Sequence, residues 1–171
     1  HILKTMALEI ERRFLVKGNE WRNISLNKQH LRQGYLTTSI DNWTTRIRIK
    51  GEEKAWLTLK YPGEKISRYE FEYLIPLKDA EEIWERTPHK LFKTRFELNL
   101  KEGNWIIDRF EAGNAPLVIA EVELVSTDQN IPIPHWCFRE ITYNKQLNNA
   151  ALAQKPIKTW TSEDLMTISL N

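Results

Sequence analysis

The sequence predicts a mainly β fold: a closed eight-stranded antiparallel β-barrel whose interior is a charged tunnel, with a few helices packed outside. Three observations predict it. Eight runs alternate apolar and polar residues with period two. Each is rich in β-branched and aromatic residues and is bounded by Gly, Pro, Asn or Ser, as strands are. And in run after run the acids and bases fall on the same alternate positions, leaving Ile, Leu, Phe, Tyr and Val on the others.

In chain order the runs are LEIERRFLV (8–16), QHLRQGYLTT (29–38), TTRIRIKG (44–51), KAWLTLKYPG (54–63), SRYEFEYLIP (67–76), KLFKTRFELNL (90–100), NWIIDRFEAG (104–113) and LVIAEVELVS (117–126). Gly51 with Glu52, Pro62 with Gly63, and Gly103 with Asn104 supply turn chemistry between neighbours, so antiparallel hairpins follow. The stretch 77–87 reads as a helix, with Asp79 near its start and Leu77, Ala80, Ile83 and Trp84 at helical spacing. Shorter helices are predicted over 148–155 and 161–169, the last capped by Thr161 or Ser162.

An open sheet of this size tends to curl, and closing it removes exposed edges. The helices need an apolar surface to pack on, which places the charged face inward. That face carries Glu9, Glu11, Arg13, Arg46, Arg48, Lys50, Lys60, Arg68, Glu70, Glu72, Lys93, Arg95, Asp108, Glu121 and Glu123. A polar face that merely meets water would explain any one strand. It does not explain eight in series, and a barrel of eight strands is just wide enough for side chains or one small ligand. Buried charge has to be compensated. A ligand that is itself strongly charged and metal-bound would do so.

The residue types fit that ligand. Glu pairs at i and i+2 (9 and 11, 70 and 72, 121 and 123) lie about 6.6 Å apart along a strand and can reach toward one divalent ion. With Asp108 they offer oxygen donors, which favour Mg²⁺ or Mn²⁺ over zinc. Arg13, Arg46, Arg48, Lys60, Lys93 and Arg95 suit phosphate, Arg by bidentate hydrogen bonding and Lys as a point charge.

Composition narrows the setting. A net charge of +2 over 171 residues argues against a nucleic-acid binder. The apolar runs are far shorter than the ~20 residues of a spanning helix, so no membrane role is expected. One cysteine, Cys137, allows no internal disulfide and fits a reducing, cytoplasmic compartment. The five residues before Met6 read as a vector-derived remnant, leaving 6–171 as a single domain. His30, His89 and His135 belong to no ligand pattern, and most of the seven Trp read as packing anchors, Trp56 on the charged face excepted.

The segments EIERRFLV, LRQGYLTT, RIRIK, LTLK, RYEFE, KTRF, IDRFEAG, AEVEL and REITYNKQLNNAALA resemble, in order, the CYTH domain or triphosphate tunnel metalloenzyme family, from about Leu8 to Ala153. The likeness is greatest to its short bacterial tripolyphosphatases. The resemblance implies a closed tunnel that hydrolyses a triphosphate-containing small molecule with Mg²⁺ or Mn²⁺, and it makes a homodimer plausible. It implies that Glu9, Glu11, Glu121 and Glu123 hold the metal that orients the triphosphate. Asp108 with Glu70 or Glu72 would form the site of a second, water-activating metal. Arg46, Arg48, Lys60 and Arg95 would clamp phosphates, Lys93 would border them, and Glu140 would lie near one mouth. Glu70, Asp108 and Lys93 are thereby the candidate catalytic residues. One position departs from the family: Arg13 stands where its signature has lysine, which keeps the phosphate contact but puts proton donation there in doubt.

Two other outcomes fit these residues. One is a nucleoside or thiamine triphosphatase or an adenylate cyclase on the same fold. The other is a noncatalytic polyphosphate-binding or nucleotide-binding module, although a full set of carboxylates would repel a polyanion in such a module.

Overall fold

The computed structural model describes residues 7–38 and 42–168. The five residues expected to be a vector-derived remnant and the last predicted helical residue, 169, lie outside the described residues. Among the described residues nine strands form one sheet: β1 (Leu8–Val16), β2 (Ser25–Thr38), β3 (Thr44–Lys50), β4 (Lys54–Pro62), β5 (Ser67–Ile75), β6 (His89–Leu98), β7 (Asn104–Phe110), β8 (Val118–Glu123) and β9 (Cys137–Glu140). Three α-helices accompany them: α1 (Leu77–Arg86), α2 (Asn149–Gln154) and α3 (Ser162–Ile168). The sheet runs β5-β4-β3-β2-β6-β7-β8-β1-β9, and an added β5–β1 pairing closes the first eight strands into the expected antiparallel barrel.

The ninth strand shows how the closure works. Along one edge β1 pairs with β8 from Glu11 to Leu15. Along the other, Leu8, Glu9 and Ile10 pair with Tyr69, Arg68 and Ser67 of β5, and farther on β9 takes the same edge at Phe14–Val16. The β1–β5 seam is therefore short. Four residues are too few for an alternation signal, so β9 is invisible to periodicity. β2 also starts earlier than the pattern suggests, because Ser25–Lys28 pair with β6 while Leu26 stays 63% exposed and gives no apolar alternation.

The even positions of β1 point outward. Ile10 and Phe14 join Phe96, Trp105, Ile107, Ala120 and Val122 in an outer core roofed by Trp21, Leu124, Ile131 and Trp136. Trp105 stacks edge-on against Trp136 at 6.2 Å, and Trp21 against Phe96 at 4.9 Å. α1 lays Ala80, Leu77 and Trp84 on Ile49, Ala55 and Ile75. The outward apolar face inferred from the sequence is therefore the surface on which α1 and the loops pack, whereas α2, expected outside as well, packs on the inner face.

One stretch of the inner face is apolar too. Leu15, Tyr35, Leu91, Phe110 and Ile119 point inward and pack on Ile141, Leu147, Leu152 and Ala153. α2 thus enters one end of the barrel as a plug. Asn148 starts it by accepting a hydrogen bond from Ala151 N at 2.7 Å. α3 then crosses outside, opened by Thr161, whose Oγ1 accepts from Asp164 N at 3.1 Å while Asp164 Oδ2 accepts from Thr161 N at 2.9 Å. This settles the cap between the two residues expected.

Candidate functional site

Alternation on β1, β3, β4, β5, β6 and β8 brings most of the predicted residues to one cavity of about 460 Å³, within the range of small-molecule sites. Glu9, Glu11, Arg13, Arg46, Arg48, Lys60, Glu70, Glu72, Arg95, Glu121 and Glu123 line it, joined by Arg68 and Tyr35. Asn148, Asn149 and Ala151 of the plug form its floor. Lys93 and Asp108 lie one layer beneath, 1% and 0% exposed. Glu140 is on the outer face, forked to Arg12 at 2.6 and 2.8 Å.

Acids and bases interleave around the wall. Lys60 Nζ lies 3.0 Å from both Glu9 Oε2 and Glu70 Oε2. Arg68 Nη2 donates to Glu11 Oε1 at 2.5 Å. Arg13 Nε donates to Glu121 Oε1 at 3.1 Å and its Nη1 to the Leu147 carbonyl of the plug segment at 2.9 Å. Arg46 Nη2 reaches Thr58 Oγ1 at 3.0 Å and Glu72 Oε2 at 3.3 Å. Arg48 Nε donates to Gln33 Oε1 at 3.0 Å, and Gln33 Nε2 donates in turn to the Tyr35 hydroxyl at 2.9 Å.

In the buried layer Arg95 forks onto Asp108 at 2.8 and 2.9 Å, and Lys93 Nζ adds a bond to Asp108 Oδ2 at 2.7 Å. Lys93 also reaches Asn149 Oδ1 of α2 at 3.3 Å and lies 5.7 Å from the centre of the Phe110 ring. Asn149, which lines the cavity, thus touches the Lys93 ammonium beneath it.

Burial and neighbours set the charge states. Burial, with Glu121 and Glu9 alongside, pushes the Glu11 carboxyl up to about 7 against the pull of Arg68 and Lys60. Burial would raise Asp108 as well, but Arg95 and Lys93 hold it well below the usual carboxylate range. Burial lowers the Lys93 ammonium to about 7, with Asp108 resisting the fall and Arg95 adding to it. Burial beside Arg46 and Arg95 takes Arg48 down to about 10. The cavity therefore has an acid-rich wall around Glu11 and a cation-rich wall around Arg48.

Among the described residues three buried donors have no hydrogen-bond partner: Trp21 Nε1 in the outer core, and Arg13 Nη2 and Arg46 Nε on side chains that line the cavity. Buried N–H groups of this kind are costly unless an acceptor arrives, and the oxygens of a bound anion would supply one to the two arginines. Among the described residues no three acidic, histidine or cysteine side chains are gathered at metal-binding spacing, since the carboxylates are held apart by their basic partners. The donor set itself is hard oxygen throughout, as Mg²⁺ and Mn²⁺ prefer. Glu9, Glu11, Glu121 and Glu123 could hold such an ion once their basic partners turn away.

Periodicity found this wall but missed its floor. Asn148 and Asn149 carry no charge signal, and Gln33 and Tyr35 sit on a strand whose inward face alternates without acids. Arg68 lay on the predicted charged face with no role assigned.

Known proteins share this architecture. The model of the CYTH domain matches residues 7–154, from β1 through the plug helix. The inorganic triphosphatase of Acetivibrio thermocellus is 34% identical over 157 residues, covering 91% of this chain and 99% of that protein. The inorganic triphosphatase of Nitrosomonas europaea is 38% identical over 149 residues, covering 85% and 96%. A crystal structure of an inorganic triphosphatase superposes with a TM-score of 0.60 at 35% identity, covering 85% of this chain and 97% of that one. A protein of Pyrococcus horikoshii shares the fold at 18% identity, with a TM-score of 0.57. A closed barrel with interleaved acids and bases, matched almost end to end by these relatives, places the chain in the CYTH domain family.

Proposed function

We propose that the chain hydrolyses inorganic tripolyphosphate in this cavity with the help of Mg²⁺ or Mn²⁺. One observation carries the reading: a ring of guanidinium and ammonium groups, with unsatisfied donors on Arg13 and Arg46, faces a carboxylate set in which burial, then Glu121 and Glu9, push Glu11 up to about 7. Cations that await phosphate and acids that await a divalent ion are the two halves of a metal–polyphosphate site. The inorganic triphosphatases among the relatives support the same substrate.

Glu9, Glu11, Glu121 and Glu123 would hold one ion, and Glu70 and Glu72 are positioned to share a second with less crowding by neighbouring acids. Such ions, when bound, neutralise phosphate oxygens and make water a stronger acid. The chain's own residues do the rest. Arg46, Arg48 and Lys60 grip the phosphate chain, and Arg13 Nη2 adds a donor at the plug end. Water attacks a terminal phosphorus, its oxygen forms the new P–O bond, the bridging anhydride bond breaks, and Glu70 takes the proton. Pyrophosphate leaves with the bridging oxygen. Most of the acceleration comes from positioning and fixed charge, as phosphoryl transfer requires. Asp108 has its oxygens engaged by Arg95 and Lys93, so it is proposed to keep Arg95 facing the cavity, with Lys93 supplying positive potential from below.

One feature favours an organic triphosphate as runner-up: Tyr61 lines the cavity and packs against Trp43 at 5.1 Å, offering an aromatic surface at the mouth. The physiological setting proposed is cytoplasmic, on the strength of the lone cysteine, acting on a small molecule and not on nucleic acid or membrane, as a monomer or a homodimer. No helix among the described residues is long and apolar enough to cross a membrane.

The test is phosphate release from tripolyphosphate, ATP and thiamine triphosphate side by side with Mg²⁺ or Mn²⁺, for the wild type and Glu9→Ala. Preferential cleavage of tripolyphosphate that Glu9→Ala abolishes supports the reading. Preference for ATP or thiamine triphosphate moves it to the runner-up. Binding without cleavage of any of the three overturns it in favour of a binding module.

A further inference from the structure

Arg68 differs from the other bases of the cavity. It sits opposite Glu9 in the β1–β5 seam, yet it crosses to Glu11, which it touches through one nitrogen at 2.5 Å. Its side chain is 36% exposed, against 13% for that of Glu11. Arg95, by contrast, is forked onto the fully buried Asp108 and is fixed. A single-point pair with a half-exposed partner is the one a competitor can open, because water can take over the arginine as it leaves. Lys60 stands beside it, bridging Glu9 and Glu70, so the two acids nearest the seam are each covered by a cation and Arg68 is the less tightly held.

We propose that Arg68 is an exchangeable counter-ion: it neutralises Glu11 in the metal-free protein and, when a divalent cation takes that carboxylate, swings to the phosphate oxygens as a further substrate-binding residue. The inference rests on the proposed metal and triphosphate site. The exchange balances charge at each stage. Without it, a metal-free cavity would leave Glu11 buried beside Glu9 and Glu121. The guanidinium is held in its charged form, since burial, which disfavours it, is outweighed by Glu11, Glu9 and Glu121. It is therefore as fit for phosphate as for carboxylate. The consequence is a coupling: the cation enters against Arg68, while the polyanion is drawn toward it. Metal and triphosphate should then bind with positive cooperativity, because the first displaces the group that receives the second.

The experiment measures two affinities of the full chain with no turnover. Mn²⁺ binding without phosphate is followed by electron paramagnetic resonance, and tripolyphosphate affinity at saturating Mn²⁺ by titration calorimetry with its non-hydrolysable imido analogue, for wild type, Arg68→Gln, Arg68→Lys and Glu11→Gln. Arg68→Gln is expected to tighten Mn²⁺ by several-fold and to weaken tripolyphosphate by about tenfold, the size of one charge-assisted contact. Arg68→Lys, which keeps the charge, should fall between the two on both scales. A merely structural role would weaken both ligands together. That result overturns the inference, as does a variant that changes neither affinity. Wild-type Mn²⁺ affinity in Glu11→Gln would instead sink the metal site itself, a failure separable from that of Arg68. Circular dichroism of each variant confirms that the barrel is intact.

Discussion

Glu11 of β1 and Glu123 of β8 are direct partners in the antiparallel ladder, so two carboxylates of like charge share one rung, with Arg13 and Glu121 two residues along. Like charges directly opposite destabilise a sheet, and Glu11 is crowded besides: burial first, then Glu121 and Glu9, push its carboxyl up to about 7. A raised carboxyl pKa means that the folded protein prefers the protonated acid. Its contribution to stability is fully present below the unfolded value near 4.5 and is lost as pH rises through about 7. Glu11→Gln should therefore make the metal-free protein more stable at pH 8, by about 1–3 kcal/mol. The gain should vanish near pH 4. Denaturant melts at both pH values, in chelator, check this, and Mg²⁺ should stabilise the wild type more than the variant.

Asp108 presents the opposite case. It is fully buried between Arg95 and Lys93, and it accepts from both. Removing one partner of a buried ion pair strands the others, a loss of about 3–5 kcal/mol. Asp108→Asn should cost stability of that order at pH 7 and disorder Arg95. Chemical denaturation measures the first, and a weakened tripolyphosphate affinity of the folded fraction the second. A variant as stable as the wild type would show that Lys93 is neutral in its burial and that Glu121, 3.7 Å from Arg95, suffices as the counter-charge of the guanidinium.

The wall of this cavity was legible because strands alternate strictly: once Glu9, Glu11 and Arg13 share a face, packing of the opposite face decides that they point inward. The same rule could not reveal the plug. Leu15, Leu91, Phe110 and Ile119 continue the charged positions of their strands as apolar residues, and only the docking of Leu147, Leu152 and Ala153 explains the change. The sequence marks a short helix over 148–155, where α2 forms, but six residues are too few to form alone and carry no sign that the helix enters the barrel. Tertiary contacts create it. Nor does sequence say that Lys93 lies behind Asn149, because that depends on how deeply α2 enters. Arg68 shows a further limit: periodicity places a side chain on a face but not on the acid it crosses to.

Arg13 tests what its guanidinium does that the family's lysine does not. It joins Glu121 to the Leu147 carbonyl through two different nitrogens and keeps a third, Nη2, buried without a partner among the described residues. A lysine ammonium is a point charge and cannot span both partners in this fork. Arg13→Lys should retain the pair with Glu121 and leave the Leu147 carbonyl short of a donor, costing about 1–2 kcal/mol. Thermal melts read that loss. Hydrolysis rates against pH for the same variant show whether a titratable group at this position adds a proton donor, in which case the rate should fall on the alkaline side more steeply than in the wild type.

The plug offers the last test. Leu152 is fully buried against the lumen-facing apolar layer. It stands three residues from Asn149, which covers Lys93, and four from Asn148, which caps the helix. Truncating a buried leucine typically costs about 2–5 kcal/mol, less where the surroundings can collapse. A six-residue helix held by so few anchors is more apt to detach than to collapse, so Leu152→Ala should release α2 before the barrel unfolds. Amide hydrogen exchange would then rise in 147–154 and stay slow in β6 to β8. Loss of Asn149 from above Lys93 admits water to the Lys93–Asp108 pair, which eases the burial that lowers the ammonium. Its pKa should move up toward the ordinary lysine value, and triphosphate affinity should fall as Arg13 loses the Leu147 carbonyl that steadies it. Uniformly faster exchange across the barrel would show instead that plug and wall unfold as one unit.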